Sequence, residues 1–506
     1  MSPFSKILIA NRGEIAVRVI RTCREMGIKT VAIYSGADRN SLHVLMADEA
    51  YYVGPAPATQ SYLNIERILR IAKQAEVEAI HPGYGFLSQN PEFARRCEEE
   101  GIVFIGPPAK VHLFSGDKLN AKFFLKDRGI PVIPGSRKPL KSASEALELA
   151  EKIGYPVMLK PRFGGGGIGM RICHSPQELE EAFNLSLKLA SAAFKSAELY
   201  IERYYPRARH IEVQILADRH GNILHLFERE CSIQRRFQKL IEEAPSPAIN
   251  DELREKVTSL AVRIAEIVGY INAGTVEFLY VPEEGSFLFM EINSRIQVEH
   301  PVTEMITGID IVKEQLKIAA GECLEYDQEE ISVRGHAIEA RIYAEDPYSG
   351  FTPSPGIITE YIPPRGIGIR VDDSVYPGAE IPPYYDPLIA KLIAWGRNRA
   401  ESLARLRRAL REFVIKGVKT NIPLHLALLE DSGFLSGDYY TKYLEEKVMP
   451  RGIPKIISTV NIPPRSFPPS ISQQAPEQMP ASAWRLSGRL LQAKRAPRRQ
   501  RPRLSF

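Results

Sequence analysis

Short apolar runs alternate with amphipathic stretches along the first 115 residues of the chain. Strands that alternate with helices in this way are typical of a doubly wound, mostly parallel sheet. The apolar runs cover residues 6–10, 30–34, 79–80 and 102–105, and the helical stretches cover residues 15–26, 65–74 and 91–100. Because ligands bind at the carboxyl ends of such strands, we expect a site formed by the loops at residues 11–14, 34–40 and 81–90.

The pattern changes after residue 115 and predicts a second unit of α+β character. Its strands fall at residues 157–160, 199–202, 211–217 and 223–229, followed by a helix at residues 251–268. Two further strands, at residues 275–280 and 287–291, flank a short turn and predict an antiparallel pair. We expect this central domain to cover residues 116–330, with a nested lobe at about residues 133–203.

A third unit and a tail complete the chain. Residues 331–447 mix strands with a basic amphipathic helix at residues 399–413, which predicts a mixed α/β domain. Residues 448–506 are dense in Pro and Arg and have no periodicity, so we expect a disordered tail. The predicted fold class is therefore α/β, with a doubly wound domain at residues 1–115 and an α+β middle.

Composition narrows the class of protein. The chain of 506 residues is 44% hydrophobic and has no apolar run long enough to cross a bilayer, so we expect a cytoplasmic enzyme without a membrane partner. Its five cysteines are scattered, which argues against a zinc site or a disulfide framework. The net charge of +5 arises in the tail, because residues 451–506 carry eleven basic residues and one acidic residue and leave the rest at −5.

Polar residues occupy every second position in the run Glu291, Asn293, Arg295, Gln297 and Glu299. In an extended chain this alternation places all five on one face. Such a strand would span about 26 Å, however, which is too long for one small ligand, so we expect a bend after Asn293, near Ser294. The first two residues would then serve a metal, and the last three would line a second site.

Glu277 lies on one predicted strand of the antiparallel pair and Glu291 lies on the other. Cross-strand pairing can bring the two carboxylates to one hard cation, such as Mg²⁺ or Mn²⁺. Asn293 adds a further oxygen ligand. An acidic metal pair beside an arginine is a common layout for phosphoryl transfer.

Two other stretches carry candidate chemistry. Four consecutive glycines, residues 164–167, follow a strand that ends in Lys160. They predict a mobile lid over phosphates, in which Gly165 and Gly166 contact ATP. A flexible linker is the weaker alternative, because a strand resumes directly at residues 168–172. The charged segment 228–239 predicts either a solvated loop or a set of groups that hold an anion, with Gln234 at the nucleotide.

These stretches together resemble the biotin carboxylase family of the ATP-grasp superfamily, over about residues 5–447. The resemblance includes the motifs at residues 9–16, 47–50, 81–88, 231–236, 242–245, 291–310, 341–346 and 385–388. It implies an ATP-dependent ligase that forms a carbon–nitrogen bond. In this reaction, ATP activates bicarbonate as carboxyphosphate, and the released CO₂ is captured by biotin.

The resemblance also implies roles for individual residues. Glu299 is the expected general base, with Arg341, Lys239 and Arg295 as the other catalytic residues. The expected metal ligands are Glu277, Glu291 and Asn293. Bicarbonate is expected at Lys239, Arg295, Gln297, Val298 and Glu299, and biotin is expected at Tyr84 and Arg341. The expected ATP contacts are Lys118, Lys160, Gly165, Gly166, Glu202, His210, Gln234 and Leu279.

The chain departs from the family pattern at Pro161, Ile168, Phe237 and Gln89, of which the last replaces a usual Glu. The sequence does not determine how the first three departures change the affinity for ATP. The sequence holds no Met-Lys-Met biotinylation motif, so we expect a separate biotin carboxyl carrier protein and carboxyltransferase subunits. A homodimer is expected, with Arg18 at a position that matches the family's dimer interface.

The final carboxyl acceptor stays open at this point. We expect the first half-reaction of acetyl-CoA or a related acyl-CoA carboxylase, which would serve fatty acid biosynthesis. Pyruvate and urea carboxylases are the enzymatic alternatives. A non-catalytic scaffold that binds nucleic acid through the basic tail is the alternative of another class, and the complete set of catalytic residue types in the body makes it the weaker one.

Overall fold

A computed structural model describes residues 2–162, 170–194 and 198–454 of the chain. The predicted glycine-rich lid, with Gly165, Gly166 and Ile168, lies outside the described residues, as does the predicted disordered tail from residue 455 onward. No helix within the described residues is long and apolar enough to cross a membrane.

The elements of the N-terminal third match the predicted alternation of strands and helices. They are β1 (Lys6–Ile9), α1 (Gly13–Glu25), β2 (Lys29–Ser35), α2 (Leu42–Met46), β3 (Glu49–Gly54), α3 (Ile65–Gln74), β4 (Ala79–His81), α4 (Pro91–Glu99), β5 (Val103–Phe104), α5 (Ala109–Gly116) and α6 (Lys118–Lys126). The strand order is β3-β2-β1-β4-β5 and all pairs are parallel, which confirms the doubly wound sheet. The sequence prediction missed β3, which is an edge strand with only two fully buried residues.

The loops at the carboxyl ends of β1, β2 and β4 meet, as predicted. The Asn11 side chain donates hydrogen bonds to the carbonyl oxygens of Pro82 and Tyr84, each at 2.7 Å. Arg12 forms a two-pronged ion pair with Asp38 at 2.7 Å. Successive strands are added on one side of β1 up to β3 and on its other side from β4 onward, so these contacts fix the loops at the point where such sheets place their ligands.

A small lobe interrupts the chain after α6. It contains α7 (Ala143–Ile153), β6 (Val157–Pro161), β7 (Arg171–Cys173), α8 (Pro176–Phe194) and β8 (Leu199–Arg203). The three strands are antiparallel in the order β7-β6-β8, and they cover their own apolar cluster, which includes Leu159, Leu179 and Ile201. Lys160 and Glu202 therefore stand side by side at the open edge of this lobe.

The described residues after the lobe build one large antiparallel sheet, three small two-stranded sheets (β15-β16, β17-β20 and β18-β22) and several helices. The elements that follow the lobe are β9 (Arg209–Ala217), β10 (Ile223–Arg235), β11 (Gln238–Ala244), α9 (Asp251–Val268), β12 (Asn272–Val281), β13 (Ser286–Asn293), α10 (His300–Thr307), α11 (Ile311–Ala319) and β14 (His336–Tyr343). The C-terminal elements are β15 (Glu345–Asp346), β16 (Thr352–Pro353), β17 (Gly356–Ile357), β18 (Glu360–Ile362), β19 (Ile369–Asp373), β20 (Glu380–Ile381), β21 (Leu388–Gly396), α12 (Arg399–Glu412), β22 (Val414–Lys416), α13 (Ile422–Leu428) and α14 (Ser432–Ser436).

The large sheet has eight strands in the order β13-β12-β9-β10-β11-β14-β21-β19. It is continuous from the predicted central domain into the predicted C-terminal domain through the pairing of β11 with β14. The division proposed at residue 330 thus falls within one sheet and stays a prediction. The sheet is covered by helices such as α9 and α12, each with an apolar stripe packed on it.

One sequence interpretation is wrong. The charged segment 228–239 is not a solvated loop, because it forms most of β10 and the start of β11, and nearly all of β10 is buried. Its charges are buried in pairs: Arg229 contacts Glu212 at 2.6 Å, and Arg209 contacts Glu230 at 2.9 Å. The connecting turn consists of Arg236 and Phe237, both with positive φ, instead of the Asn or Gly that marks such turns in sequences.

The ordered body extends further than predicted. Val448 is buried, and Met449 and Ile453 pack against the C-terminal core. Arg451 forms an ion pair with Asp431 at 2.7 Å. Residues 448–454 therefore belong to the folded chain and not to the predicted disordered tail.

Candidate functional site

A cavity of about 820 Å³ lies between the small lobe and the large sheet. Most of the predicted site residues line it: Lys118, Lys160, Glu202, His210, Gln234, Lys239, Glu277, Glu291, Asn293, Arg295, Gln297, Val298, Glu299 and Arg341. Leu279 and Tyr84 are outside this lining; Leu279 packs against the cluster of Ile133, which does line the cavity. Strands from several sheet positions thus bring residues from distant parts of the chain to one place.

The predicted metal residues form a compact group at the β12–β13 pair. Glu277 and Glu291 are direct cross-strand neighbours, and a register shift follows Glu277. Asn293 bridges them, since its side-chain nitrogen donates to Glu277 at 2.8 Å and to Glu291 at 3.3 Å. Two carboxylates and an amide oxygen are hard oxygen donors, and this set suits Mg²⁺ or Mn²⁺.

Lys239 lies at the centre of a group of buried carboxylates. Its ammonium contacts Glu212 at 2.5 Å, Glu299 at 2.6 Å and Glu277 at 3.0 Å. The point at which these carboxylates converge therefore holds the Lys239 ammonium. Sequence reasoning missed Glu212; its signal was a carboxylate between apolar neighbours on a buried strand.

Glu299 lies between two cations. Besides Lys239, it accepts a hydrogen bond from the Arg341 guanidinium at 2.9 Å. Burial alone would raise the pKa of Glu299, but Lys239 and Arg341 hold it well below its usual range. Glu299 is consequently a carboxylate at neutral pH, which is the form that accepts a proton.

Glu242 contacts the same Arg341 guanidinium as Glu299, at 2.6 Å. It is fully buried and lies opposite Glu339 in the β11–β14 register. Burial raises the pKa of Glu242 to about 7, against the opposing effect of Arg341. Near neutral pH, this carboxyl therefore exchanges its proton and changes the net charge beside Arg341.

The predicted bend after Asn293 is present. Strand β13 ends at that residue, and Ser294 is buried, where its hydroxyl contacts His112 at 2.8 Å and Ser115 at 2.9 Å. Both partners belong to α5. The polar alternation is thereby divided: Glu291 and Asn293 remain on the strand, and Arg295, Gln297 and Glu299 follow the bend toward the start of α10.

The half of the cavity next to the small lobe is rich in lysine. Lys122 and Lys160 both contact Glu202 at 2.5 Å, and Lys118 forms an ion pair with Glu291. Gln234 bonds His210 at 2.9 Å, and His210 in turn bonds Glu277 at 2.9 Å. Ammonium groups around an open cavity suit the phosphates of a nucleotide, so this side is the candidate ATP site.

A chain of contacts connects Tyr84 to the bend. The Tyr84 hydroxyl donates to Glu14, Glu14 contacts the Lys391 ammonium at 3.2 Å, and Lys391 donates to the Val298 carbonyl oxygen at 2.9 Å. The Lys391 side chain is fully buried. Sequence reasoning missed Lys391, whose signal was a single cation inside the apolar run of β21.

Arg18, predicted at a dimer interface, is largely buried within its own chain. Its guanidinium contacts Glu304 at 2.9 Å and Asp310 at 2.7 Å. These contacts fasten α1 to α10 and to the start of α11. Its role between subunits stays a prediction.

Family models cover almost the whole described body. The model for the biotin carboxylase N-terminal domain matches residues 3–112, and the model for the biotin carboxylase C-terminal domain matches residues 339–446. Residues 117–327 match the ATP-binding domain of the carbamoyl-phosphate synthase L chain. These ranges take in every residue of the cavity that the sequence predicted.

Relatives that share more than half of their aligned residues with this chain are a pyruvate carboxylase subunit and a biotin carboxylase. The chain is 54% identical to a pyruvate carboxylase subunit of Methanothermobacter thermautotrophicus, over 88% of this chain and 90% of that protein. It is 53% identical to biotin carboxylase 1 of Bacillus subtilis, over 87% of this chain and 98% of that protein.

Solved biotin carboxylase structures are also similar to this chain. The biotin carboxylase domain dimer of Hydrogenobacter thermophilus 2-oxoglutarate carboxylase, in complex with MgADP, ADP and bicarbonate, matches with a TM-score of 0.85 and 52% identity, over 88% of this chain and 97% of that chain. A Campylobacter jejuni biotin carboxylase complex with β-γ-ATP matches with a TM-score of 0.85 and 45% identity, over 87% and 98%.

Proposed function

The chain belongs to the biotin carboxylase family of ATP-dependent ligases, and from this premise we propose that it carboxylates biotin on a separate carrier protein through carboxyphosphate. The observation that carries the proposal is the position of Glu299 between Lys239 and Arg341, beside the Glu277–Glu291 pair. A base, two cations and the candidate metal ligands thus line one cavity.

In the proposed reaction, Glu299 removes the proton from bicarbonate. Lys239 and Arg295 hold the anion, together with Gln297 and the backbone of Val298. When bicarbonate takes over contacts to Lys239, the Glu299 carboxylate loses part of its stabilisation and becomes a stronger base. The Arg341 guanidinium then stabilises the charge that develops on carboxyphosphate and on the biotin ring.

ATP is proposed to bind on the lysine-rich side of the cavity. Lys118 and Lys160 would meet its phosphates, and Glu202, His210 and Gln234 would contact the remainder of the nucleotide. Glu277 and Glu291, aided by Asn293, would hold Mg²⁺, which supplies charge neutralisation to the phosphate oxygens. In the structure Glu291 pairs with Lys118, and Glu277 pairs with Lys239 and bonds His210, so the metal would share these carboxylates with two ammonium groups.

The partners are also part of the proposal. The chain spans nearly the full length of relatives that are named biotin carboxylase, which supports a subunit that meets biotin on another chain, with a carboxyltransferase for the second half-reaction. A homodimer is supported by the dimer in the H. thermophilus structure. The five free cysteines suit a reducing compartment, and we place the enzyme in the cytoplasm.

The acceptor of the carboxyl group is proposed to be acetyl-CoA or a related acyl-CoA. Pyruvate and 2-oxoglutarate are competing acceptors, because two similar proteins carry those names. The carboxyltransferase chain decides between them, since this cavity serves only the first half-reaction. Reconstitution with each candidate carboxyltransferase and its carrier, followed by measurement of the carboxylated product, distinguishes the three.

The direct test of the first half-reaction is bicarbonate-dependent ATP hydrolysis with and without free biotin. The proposal expects biotin to stimulate hydrolysis. Replacement of Glu299 by Gln, which keeps the shape and removes the base, should lower turnover by at least about 100-fold while ATP binding stays near wild type. ATP that binds normally but is hydrolysed without any response to biotin would refute the proposal.

A further inference from the structure

Arg295 is held by four hydrogen bonds, and all four acceptors are uncharged. Its guanidinium donates to the side-chain oxygen of Gln89 at 2.8 Å and to that of Gln297 at 2.7 Å. It also donates to the Ile296 carbonyl at 3.0 Å and to the Asn293 amide oxygen at 3.3 Å. A guanidinium has five N–H groups, so these bonds orient the side chain and leave one N–H for a ligand.

The other buried and half-buried cations that line the cavity are paired with carboxylates. The pairs are Lys118 with Glu291, Lys122 and Lys160 with Glu202, Arg235 with Glu345, Lys239 with Glu212, Glu277 and Glu299, and Arg341 with Glu242 and Glu299. Among the residues that the structure describes, no carboxylate forms an ion pair with Arg295. Its positive charge is therefore the least compensated of this set.

Gln89 is the one partner of Arg295 that comes from a different part of the chain. It lies in the loop between β4 and α4, directly before Asn90, whose side chain caps α4. The other three partners follow from the bend itself, because they lie within two residues of Arg295. The identity of residue 89 therefore decides whether the N-terminal loop presents a neutral or a negative group to this guanidinium.

We propose that Gln89 is a positioning residue that orients Arg295 without neutralising it, and so tunes the affinity of the cavity for a small oxyanion. The inference rests on the proposed function, in which that anion is bicarbonate. A carboxylate in place of the Gln89 amide would form an ion pair with the Nε side of the guanidinium and compete with the anion for its charge. A neutral residue leaves that charge available.

The test is the KM for bicarbonate of a Gln89→Glu variant, measured at saturating MgATP. We expect an increase of about tenfold, because a charge-assisted contact at this distance corresponds to roughly that factor. The KM for ATP should stay within about twofold. The fold should tolerate the change, because an acidic residue immediately before a helix N-terminus is favourable there.

Two further variants separate charge from position. Gln89→Met removes the hydrogen bond but adds no charge, so its KM for bicarbonate should rise much less than that of Gln89→Glu. Gln74→Glu makes the same chemical change at an exposed residue at the end of α3 and should leave both KM values unchanged. Equal increases for Gln89→Met and Gln89→Glu would overturn the charge argument, as would an unchanged KM in Gln89→Glu.

Different results would refute the proposed function and the inference about Gln89. If the wild-type protein shows no bicarbonate-dependent hydrolysis of ATP, the proposed function is wrong. If the wild-type protein is active and Gln89→Glu has the wild-type KM for bicarbonate, only the inference about Gln89 is wrong.

Discussion

At the scale of single residues, the site is organised by carboxylates that share a few cations. Lys239 contacts three of them, and Arg341 contacts Glu242 and Glu299. Buried charges are costly unless they are paired, so each cation fixes the geometry of its partners. The two carboxylates on Arg341 differ: Lys239 and Arg341 hold Glu299 ionised, whereas burial raises the pKa of Glu242 to about 7.

Glu242 should make the stability of the protein depend on pH. Its pKa is raised from an ordinary 4.5 to about 7 by burial, so the folded state retains a proton that the unfolded chain has released. The free energy of unfolding should therefore fall, by up to about 3 kcal/mol from this group, as pH rises through that window. Glu242→Gln should show a smaller fall than wild type in thermal melts over the same range. Parallel curves for the two proteins would contradict the assignment.

At the scale of elements, the sequence predicted what depends on local pattern. The β12–β13 hairpin, the cross-strand meeting of Glu277 with Glu291, and the bend at Ser294 all follow from alternation and strand length. Glu212 and the charged segment 228–239 could not be placed in this way. Their partners, such as Arg229 for Glu212, lie on neighbouring strands, and burial of a charge becomes visible only when those strands are paired.

The sequence pattern could not place Lys391 either. This residue lies on β21 and contacts the segment that follows the bend. Its bond to the Val298 carbonyl joins the large sheet to the segment that precedes Glu299, and its contact with Glu14 joins that segment to α1. A side chain that touches neither substrate can position the catalytic segment through such contacts. Sequence pattern shows only a cation in an apolar strand.

Lys391→Met should therefore lower kcat by about ten- to 100-fold and raise the KM for bicarbonate, with ATP affinity close to wild type. The physical reason is that the segment before Glu299 loses its anchor. Lys419→Met, at an exposed lysine, is the matched control. Because the change leaves Glu14 and Asp372 without this cation, the Lys391→Met/Glu14→Gln double variant is assayed as well. Wild-type kcat and KM values in a folded Lys391→Met protein would show that the contact has no role in positioning.

At the scale of the whole molecule, the cavity depends on three parts of the chain that fold onto one another. The loop before α4 supplies Gln89, which holds Arg295. The small lobe supplies Lys160 and Glu202, and the large sheet supplies the metal residues and leads into the segment that carries the base. The sequence could predict the doubly wound sheet from its alternation of elements. It could not predict that one sheet runs across residue 330, since strands β11 and β14 are separated by more than ninety residues.

The C-terminal limit of the folded body gives a prediction at this scale. Removal of residues 455–506 should leave the melting temperature and activity unchanged, because that stretch is dense in Pro and Arg and shows no periodicity of a helix or strand. Removal from residue 448 should lower the melting temperature by at least about 5 °C, since it exposes the surface under Val448, Met449 and Ile453 and breaks the Arg451–Asp431 pair. Equal melting temperatures for the two truncations would place the end of the folded body before residue 448.

In the proposed reaction, Glu299 and its cations activate bicarbonate for transfer to biotin. The most direct measurement is the incorporation of radiolabelled bicarbonate into biotin by the purified chain, in the presence of MgATP. The account predicts label on biotin that requires ATP and disappears with Glu299→Gln. ATP hydrolysis that proceeds with bicarbonate while biotin stays unlabelled would contradict it.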